Sequence, residues 1–398
     1  MPAKSESAPA NNSIEPFEPH FSDTQIDDVL SRLKLTRYPD AETVDDWRQG
    51  IPLSYQQELV RHWLDDYDWQ RVPAALNRYD NFITQIEGIN IHFLHVRSPH
   101  SSATPLLMTH GWPGSVLEFL DVIDPLTDPT KSGGTPSDAF HLIMPSLPGF
   151  GFSSAPTEPG VGVDKIAAMW DTLMLRLGYP HYLAQGGDWG SLVTQSLLLN
   201  KTQCLGGHIN LPMVLPDEVT MGSADPSEQA TLAAAMHYQE HESGYSRQQS
   251  TRPQTLAYGL ADSPSGQMAW IVEKFAQWTD CELQGHRHPE NALARDVMLD
   301  IAAHYWMTNT AASSARLYWE SFNEPNYAPI ERPIGISLFP KELFLCSERL
   351  AQTRYRHLMF FNNTHAKGGH FAALEQPEAF IADLRQWHNR LELTEIKQ

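Results

Sequence analysis

The pentapeptide Gly186-Gly187-Asp188-Trp189-Gly190 leaves the chain few ways to fold around it. It follows a short apolar run, 182–184, and leads into a helical pattern over 191–200. Glycines at a strand-to-helix junction permit a turn too tight for side chains, so strand and helix fold back on each other within a few residues. An acidic side chain then stands at the tip of the turn. The motif alone reads equally well as an ordinary Gly-rich turn with Asp188 capping the next helix, so its surroundings have to decide.

Those surroundings alternate. Runs 82–86 and 89–96, separated by Glu87-Gly88, predict a hairpin. Apolar runs at 105–108, 140–144, 182–184 and 208–211 then take turns with helical patterns from Ser115, over 163–177 and over 191–200. Short buried strands alternating with helices predict an α/β fold with a mostly parallel central sheet covered on both faces. From 212 to 325 the alternation stops and helical patterns dominate, at 226–242, 266–278 and 292–307. It returns with strands at 334–339 and 357–361 and closes on a helix over 376–391. Before the sheet, 23–35 carries Ile26, Val29, Leu30 and Leu33 at helical spacing after a capping Ser22, and helices are expected at 54–67 and 70–77. The resulting plan has a disordered tail and helical meander at 1–80, wrapping the core and bracing the lid. The first part of the core spans 81–211, a helical lid 212–325 and the second part of the core 326–398. The lid would sit over the carboxyl ends of the strands, where such sheets bind ligands.

Composition narrows the partners. A formal net charge of -20 disfavours nucleic acid phosphates and anionic lipid, leaving a small neutral molecule as the default substrate. Cys204, Cys281 and Cys346 are too few and too scattered for a disulfide framework or a thiolate zinc site. No run approaches the ~18 apolar residues of a membrane span, and the polar N-terminus lacks the apolar core of a secretory signal. A cytoplasmic protein without a membrane anchor is expected, monomeric or homodimeric, with no metal and no cofactor.

Three further segments give the turn chemical company. His110-Gly111-Trp112-Pro113-Gly114-Ser115 follows the 105–108 strand, where the backbone N–H groups of Trp112 and Trp189 can form an oxyanion hole facing Asp188. The competing reading is a plain βα loop with Ser115 as helix cap. Gly368-Gly369-His370-Phe371 puts His370 on a Gly-rich loop before the last helix, completing the order nucleophile, acid, histidine. His365 is its rival, with loop support as the expected role. Glu342 lies just past the 334–339 strand, where a carboxylate orients the imidazole; Glu331, Glu348 and Asp300 read as surface groups.

Together with Leu64-Asp65-Asp66-Tyr67-Asp68-Trp69, the 86–93 segment and Pro145-Ser146-Leu147-Pro148-Gly149-Phe150-Gly151-Phe152-Ser153, these motifs carry a resemblance. From about Ile14 to Leu391 the chain resembles the epoxide hydrolases of the microsomal and juvenile-hormone type and their soluble fungal and bacterial relatives, which have the α/β-hydrolase fold. The resemblance implies hydrolysis of a small apolar epoxide through an ester on Asp188, cleaved by water that His370 and Glu342 activate. A serine would leave a stable ether; a carboxylate leaves an ester that water cleaves. It also implies two lid tyrosines that assist ring opening, Tyr245 and Tyr305, and a substrate cavity lined by Trp112, Phe150, Trp189 and Phe371. Some relatives carry Asp where this chain has Glu342, and the membrane-bound members carry an N-terminal anchor.

Other chemistries compete. Haloalkane dehalogenation uses the same fold and an Asp nucleophile but needs no phenols to receive its leaving group. An epoxide-opening cyclase replaces water with a hydroxyl of the substrate, and a non-catalytic binding protein on the same scaffold would have lost a catalytic residue. His237-Tyr238-Gln239-Glu240-His241 fits a zinc-peptidase pattern that needs a third ligand.

Overall fold

The computed structural model describes residues 12–322 and 325–391; the tail expected over 1–16 lies outside them as far as 11, and its last three residues, 14–16, form a strand instead. Nine strands form one sheet: β1 Ile14–Pro16, β2 Asn81–Ile86, β3 Ile89–Val96, β4 Thr104–Thr109, β5 Phe140–Pro145, β6 Tyr182–Gly186, β7 Cys204–Ile209, β8 Ile334–Ser337 and β9 Leu358–Asn362. Their order is β1-β2-β3-β5-β4-β6-β7-β8-β9. The first three pair antiparallel, as does β3 with β5, and all later neighbours pair parallel. The central strands are buried on both faces, with Leu106, Leu107, Met108, Leu142, Ile143, Met144 and Leu183 inaccessible to solvent, which is why they read as continuous apolar runs.

The order β5-β4-β6 sets the site. The chain leaves β4 to one side to make β5, then returns to the other side to make β6. The loops after β4 and β6 therefore diverge from adjacent strand ends and open a crevice, the place where ligands enter such sheets. β7 begins four residues before the expected 208–211 run, because Cys204-Leu205-Gly206-Gly207 pairs with β6 despite its weak apolar signal. β1 and the helices Ala311–Ser321 and Glu348–Arg354 were not expected.

Between β7 and β8 the insertion is helical, and the sheet closes beneath it by pairing Ile334 with Gly207. Its elements include Pro226–His237, a π-helical turn Tyr238–Glu242, Gly244–Thr251, Pro253–Asp262, Pro264–Trp278, Arg295–Met307 and Ala311–Ser321. The N-terminal helices Asp23–Lys34, Leu53–Asp65 and Arg71–Leu76 bond to this lid. Ser22 caps the first of them in a reciprocal box with Gln25. The Tyr67 hydroxyl donates to Asp300 at 2.7 Å, Arg71 pairs with the same carboxylate at 3.0 Å, His62 meets Asp296 at 2.6 Å, and Gln56 donates to the Ser265 carbonyl at 2.8 Å. Asp300, expected as a surface group, is thus a half-buried anchor. Among the described residues no helix is long and apolar enough to cross a membrane.

The helix after β6 starts at Asp188 itself, three residues before the expected 191, and crosses close over β4. A Cβ placed on Gly190 would lie 1.8 Å from the Thr109 carbonyl oxygen, and one on Gly186 would lie 2.1 Å from the Gly190 carbonyl. Gly190→Ala should therefore destabilise the protein by about 3 kcal/mol, the upper range for overpacking. Gly259→Ala is the control: it lies in the Pro253–Asp262 helix with nothing within 4 Å and should be neutral or stabilising by up to about 1 kcal/mol. Urea denaturation of the two variants checks both.

Candidate active site

Asp188 sits at the tip of the turn with φ +47°, a left-handed conformation unusual for a residue with a side chain. The strain points its carboxylate out of the helix and into the crevice. Oδ1 accepts the Trp112 backbone N–H at 2.8 Å. The contact requires glycine at 111, where a Cβ would lie 2.1 Å from Oδ1. The Trp189 N–H stands in the first helical turn, among the groups with no intrahelical carbonyl to bind. His110 holds the first loop by a neutral ring: Nδ1–H donates to the Gly111 carbonyl at 2.9 Å and Nε2 accepts the Leu147 N–H at 3.2 Å. Burial brings its pKa down to about 4, which keeps the acceptor free of a proton.

On the other carboxylate oxygen, His370 Nε2 stands 3.2 Å from Oδ2. Its Nδ1–H donates to Glu342 Oε1 at 2.6 Å, and its backbone N–H donates to the Trp278 carbonyl at 2.9 Å. Glu342 is buried, and the same oxygen accepts the Leu343 N–H at 2.7 Å. Burial alone would lower the His370 pKa, but the adjoining Glu342 and Asp188 carboxylates outweigh it and hold the imidazole well above its ordinary value. His365 has a different post: Nε2 meets Asp383 Oδ2 at 2.7 Å and its ring stacks on Phe339 at 4.2 Å, so it supports the loop.

Above Asp188 the lid closes a cavity of about 530 Å³, lined by Asp188, Trp189, Leu192, Tyr238, Tyr245 and Tyr318 among others. Tyr245 stacks on Trp112 with centroids 5.1 Å apart and meets the Tyr318 ring edge-on at 5.7 Å. Tyr318 in turn stands edge-on to Trp189 at 4.7 Å. Its hydroxyl is buried and has no hydrogen-bond partner among the described residues. Burial, with Asp188 nearby, holds both phenols well above their usual pKa, so both are donors at neutral pH.

The residues 14–119 match the family model for the epoxide hydrolase N terminus, and 104–240 that for the alpha/beta hydrolase fold. A Stigmatella aurantiaca relative is 50% identical over 381 residues, 95% of this chain and 85% of its own. Epoxide hydrolase 1 of Sus scrofa is 34% identical over 98% of this chain and 92% of its own. The chain belongs to the epoxide hydrolase family. Aspergillus niger epoxide hydrolase superposes with a TM-score of 0.86, at 32% identity over 96% of this chain and 97% of that one.

Within this epoxide hydrolase, Asp188, His370, Glu342, Tyr245 and the Trp112 N–H converge as the sequence suggests. Tyr305 does not. Its hydroxyl donates to the Gly114 carbonyl at 2.8 Å, beneath the cavity floor, with its ring 6.2 Å from Phe150. Tyr318, one helix later, stands beside Tyr245 in its place. Trp112, Phe150 and Phe371 are also off the cavity wall: the Trp112 ring is covered by Tyr245, Phe150 packs edge-on to His110 at 5.5 Å, and Phe371 packs against Phe275 at 4.6 Å, behind His370. His237 and His241 are largely exposed with rings 5.1 Å apart, and no group of three or more metal-ligating side chains gathers among the described residues. Glu118 escaped the sequence reading altogether. It is half-buried against Gly114, where a Cβ would lie 1.2 Å from its Oε1, and loss of water around the carboxyl pushes its pKa up to about 8. An acidic residue four positions past a Gly-Ser turn gives no sequence signal of that burial.

The two anions on His370 make a titration informative. Asp188→Asn removes one of them without changing the shape of the site, so the imidazolium loses support. Its pKa should fall by about 1–3 pH units relative to the parent enzyme, the usual effect of one charge at this range. Imidazole NMR titration of the two proteins reads this directly; an unchanged value would mean that Glu342 alone sets the proton affinity.

Proposed function

We propose that the enzyme opens its epoxide in two covalent steps centred on Asp188. The observation that carries the reading is one carboxylate with two differently furnished oxygens, facing two buried phenols across an apolar cavity. Oδ1, held by the Trp112 N–H, becomes the carbonyl oxygen of the ester. Oδ2 attacks an epoxide carbon as the carbon–oxygen bond breaks toward Tyr245 and Tyr318. The leaving oxygen is a strongly basic alkoxide, and the two hydroxyls bind it while one gives up its proton.

Ester formation changes the task of His370. Alkylated Asp188 is no longer an anion, so one of the charges that hold the imidazolium is gone and a proton leaves more readily. The neutral ring takes a proton from water as that water attacks the ester carbonyl. Charge then develops on Oδ1, where the N–H groups of Trp112 and Trp189 await it. Collapse releases the Oδ2–carbon unit as alcohol, protonated by His370, and Asp188 keeps one oxygen from the water. Glu342 orients the ring and balances its charge throughout.

The aromatic and aliphatic walls favour small apolar epoxides of the stilbene-oxide kind, and detoxification in the cytoplasm is the setting this substrate class suggests. Dehalogenation fits less well, since a halide leaves without a proton and has no use for a donor pair. An internal hydroxyl in place of water remains the chemistry of a cyclase, and product analysis separates the two.

Five variants test the sequence of steps. Asp188→Asn should abolish diol formation, and one turnover of the parent enzyme in heavy-oxygen water should label Asp188 and leave the diol unlabelled. His370→Gln should accumulate an adduct of the epoxide mass. Tyr245→Phe and Tyr318→Phe should each slow ester formation roughly 100- to 1000-fold, the loss usual for one oxyanion donor, whereas Tyr305→Phe should slow it less than about threefold because its hydroxyl is engaged by the Gly114 carbonyl and lies off the cavity wall. Rapid-quench kinetics with mass spectrometry measures all of them; label appearing first in the diol, or brisk halide release from haloalkanes, overturns the scheme.

A further inference from the structure

Lys274 lies in the lid helix Pro264–Trp278 with only 6% of its surface exposed. A lysine is almost never buried this deeply unless something compensates the loss of water around its charge. Its Nζ pairs with the neighbouring Glu273, whose side chain is more exposed than its own. The ammonium also stands over two aromatic rings, 4.7 Å from the centroid of Tyr245 and 5.5 Å from that of Trp278. Tyr245 is held in place for this contact by its stack on Trp112 and by Trp278, whose centroid is 5.0 Å away. The cation is therefore placed on one of the two lid rings from which the proposed mechanism draws a proton.

Charge explains why a cation belongs there. A phenol losing its proton spreads negative charge from oxygen into the ring, so a cation over the ring face favours the phenolate more than the phenol. Without such help the site works against proton release, because Tyr245 is buried and Asp188 is close. We infer that Lys274 is a positioning residue for ring opening, whose ammonium over the Tyr245 ring stabilises the phenolate character that develops as the proton passes to the epoxide oxygen. The inference rests on the proposed role of Tyr245. In the balanced step the carbon–oxygen bond breaks with its electron pair on oxygen, which takes the Tyr245 proton and leaves a phenolate. The phenolate is reprotonated after hydrolysis by the proton that Asp188 sheds as it ionises again.

A double-variant cycle tests it, using rapid-quench measurement of ester formation with styrene oxide as the probe. Lys274→Met keeps the aliphatic stem and removes the charge, and it should slow ester formation roughly 30-fold, the worth of a desolvated cation–ring contact. Lys274→Arg should restore the rate to within about fivefold of the parent, since guanidinium serves the same contact. On a Tyr245→Phe background Lys274→Met should cost less than about threefold, because no phenol is left to polarise. Hydrolysis of the accumulated ester should be unchanged in every Lys274 variant. Equal losses on the two backgrounds, or a parent-like rate for Lys274→Met beside a slow Tyr245→Phe, overturn the inference and leave the role of Tyr245 standing. A parent-like rate for Tyr245→Phe overturns both. If circular dichroism finds Lys274→Met unfolded, Lys274→Gln takes its place in the cycle with the same expected losses.

Discussion

A carboxylate removed from bulk water needs partners that leave it reactive, and the architecture around Asp188 supplies them one oxygen at a time. The turn after β6 commits the backbone to a left-handed residue, which aims the side chain away from its own helix. The loop after β4 approaches near enough to give a backbone N–H only because Gly111 has no side chain in the way. The loop before the last helix brings an imidazole to the other oxygen, and a second carboxylate stands behind it. Three separate crossovers of one sheet end at one point, so the charge is held by groups that cannot all move together.

The lid answers a different demand. It excludes water from the chemistry while providing donors that point inward, and it does so with aromatic rings packed both face to face and edge to face. Trp112, Trp189, Tyr245, Trp278 and Tyr318 touch one another in a continuous set, so the two phenol rings are held in place by the rings of their neighbours. The Tyr318 hydroxyl is the outcome: buried, unpaired among the described residues, and available to whatever enters the cavity. An orphaned polar group of this kind normally marks a place where a ligand completes the bonding.

Legibility in the sequence followed the distance over which each feature is decided. Asp188, His370 and Glu342 could be read because each follows a strand within a few residues, and strand ends of a parallel sheet share one edge. Trp112 could be read for the same reason. Tyr305 and Tyr318 could not be told apart that way. Both lie on lid helices, and which face of a helix meets the cavity is set by packing across the molecule, not by neighbours in the chain. Tyr305 was chosen by family likeness of its context, but its helix turns the hydroxyl down onto the Gly114 carbonyl. Lys274 and Glu118 were invisible for a related cause, since charged side chains are taken as exposed until a structure shows what covers them. β7 was misplaced by its glycines, which carry no apolar signal though Gly207 packs against Leu198 and Thr194 and Gly206 against Leu183 and Leu391.

The bonds between the N-terminal helices and the lid have a temporal meaning as well. Tyr67 and its acceptor Asp300 are 233 residues apart in the chain, and Gln56 and Ser265 are 209 apart. At a ribosomal pace of 5–20 residues per second, the first helices wait roughly 10–50 s for the surfaces they cover. During that interval Val29, Leu59 and Trp63, all inaccessible in the finished molecule, have no lid to lie against. These helices are therefore among the last parts of the fold to settle, and the growing chain carries their apolar faces uncovered until the lid has been made.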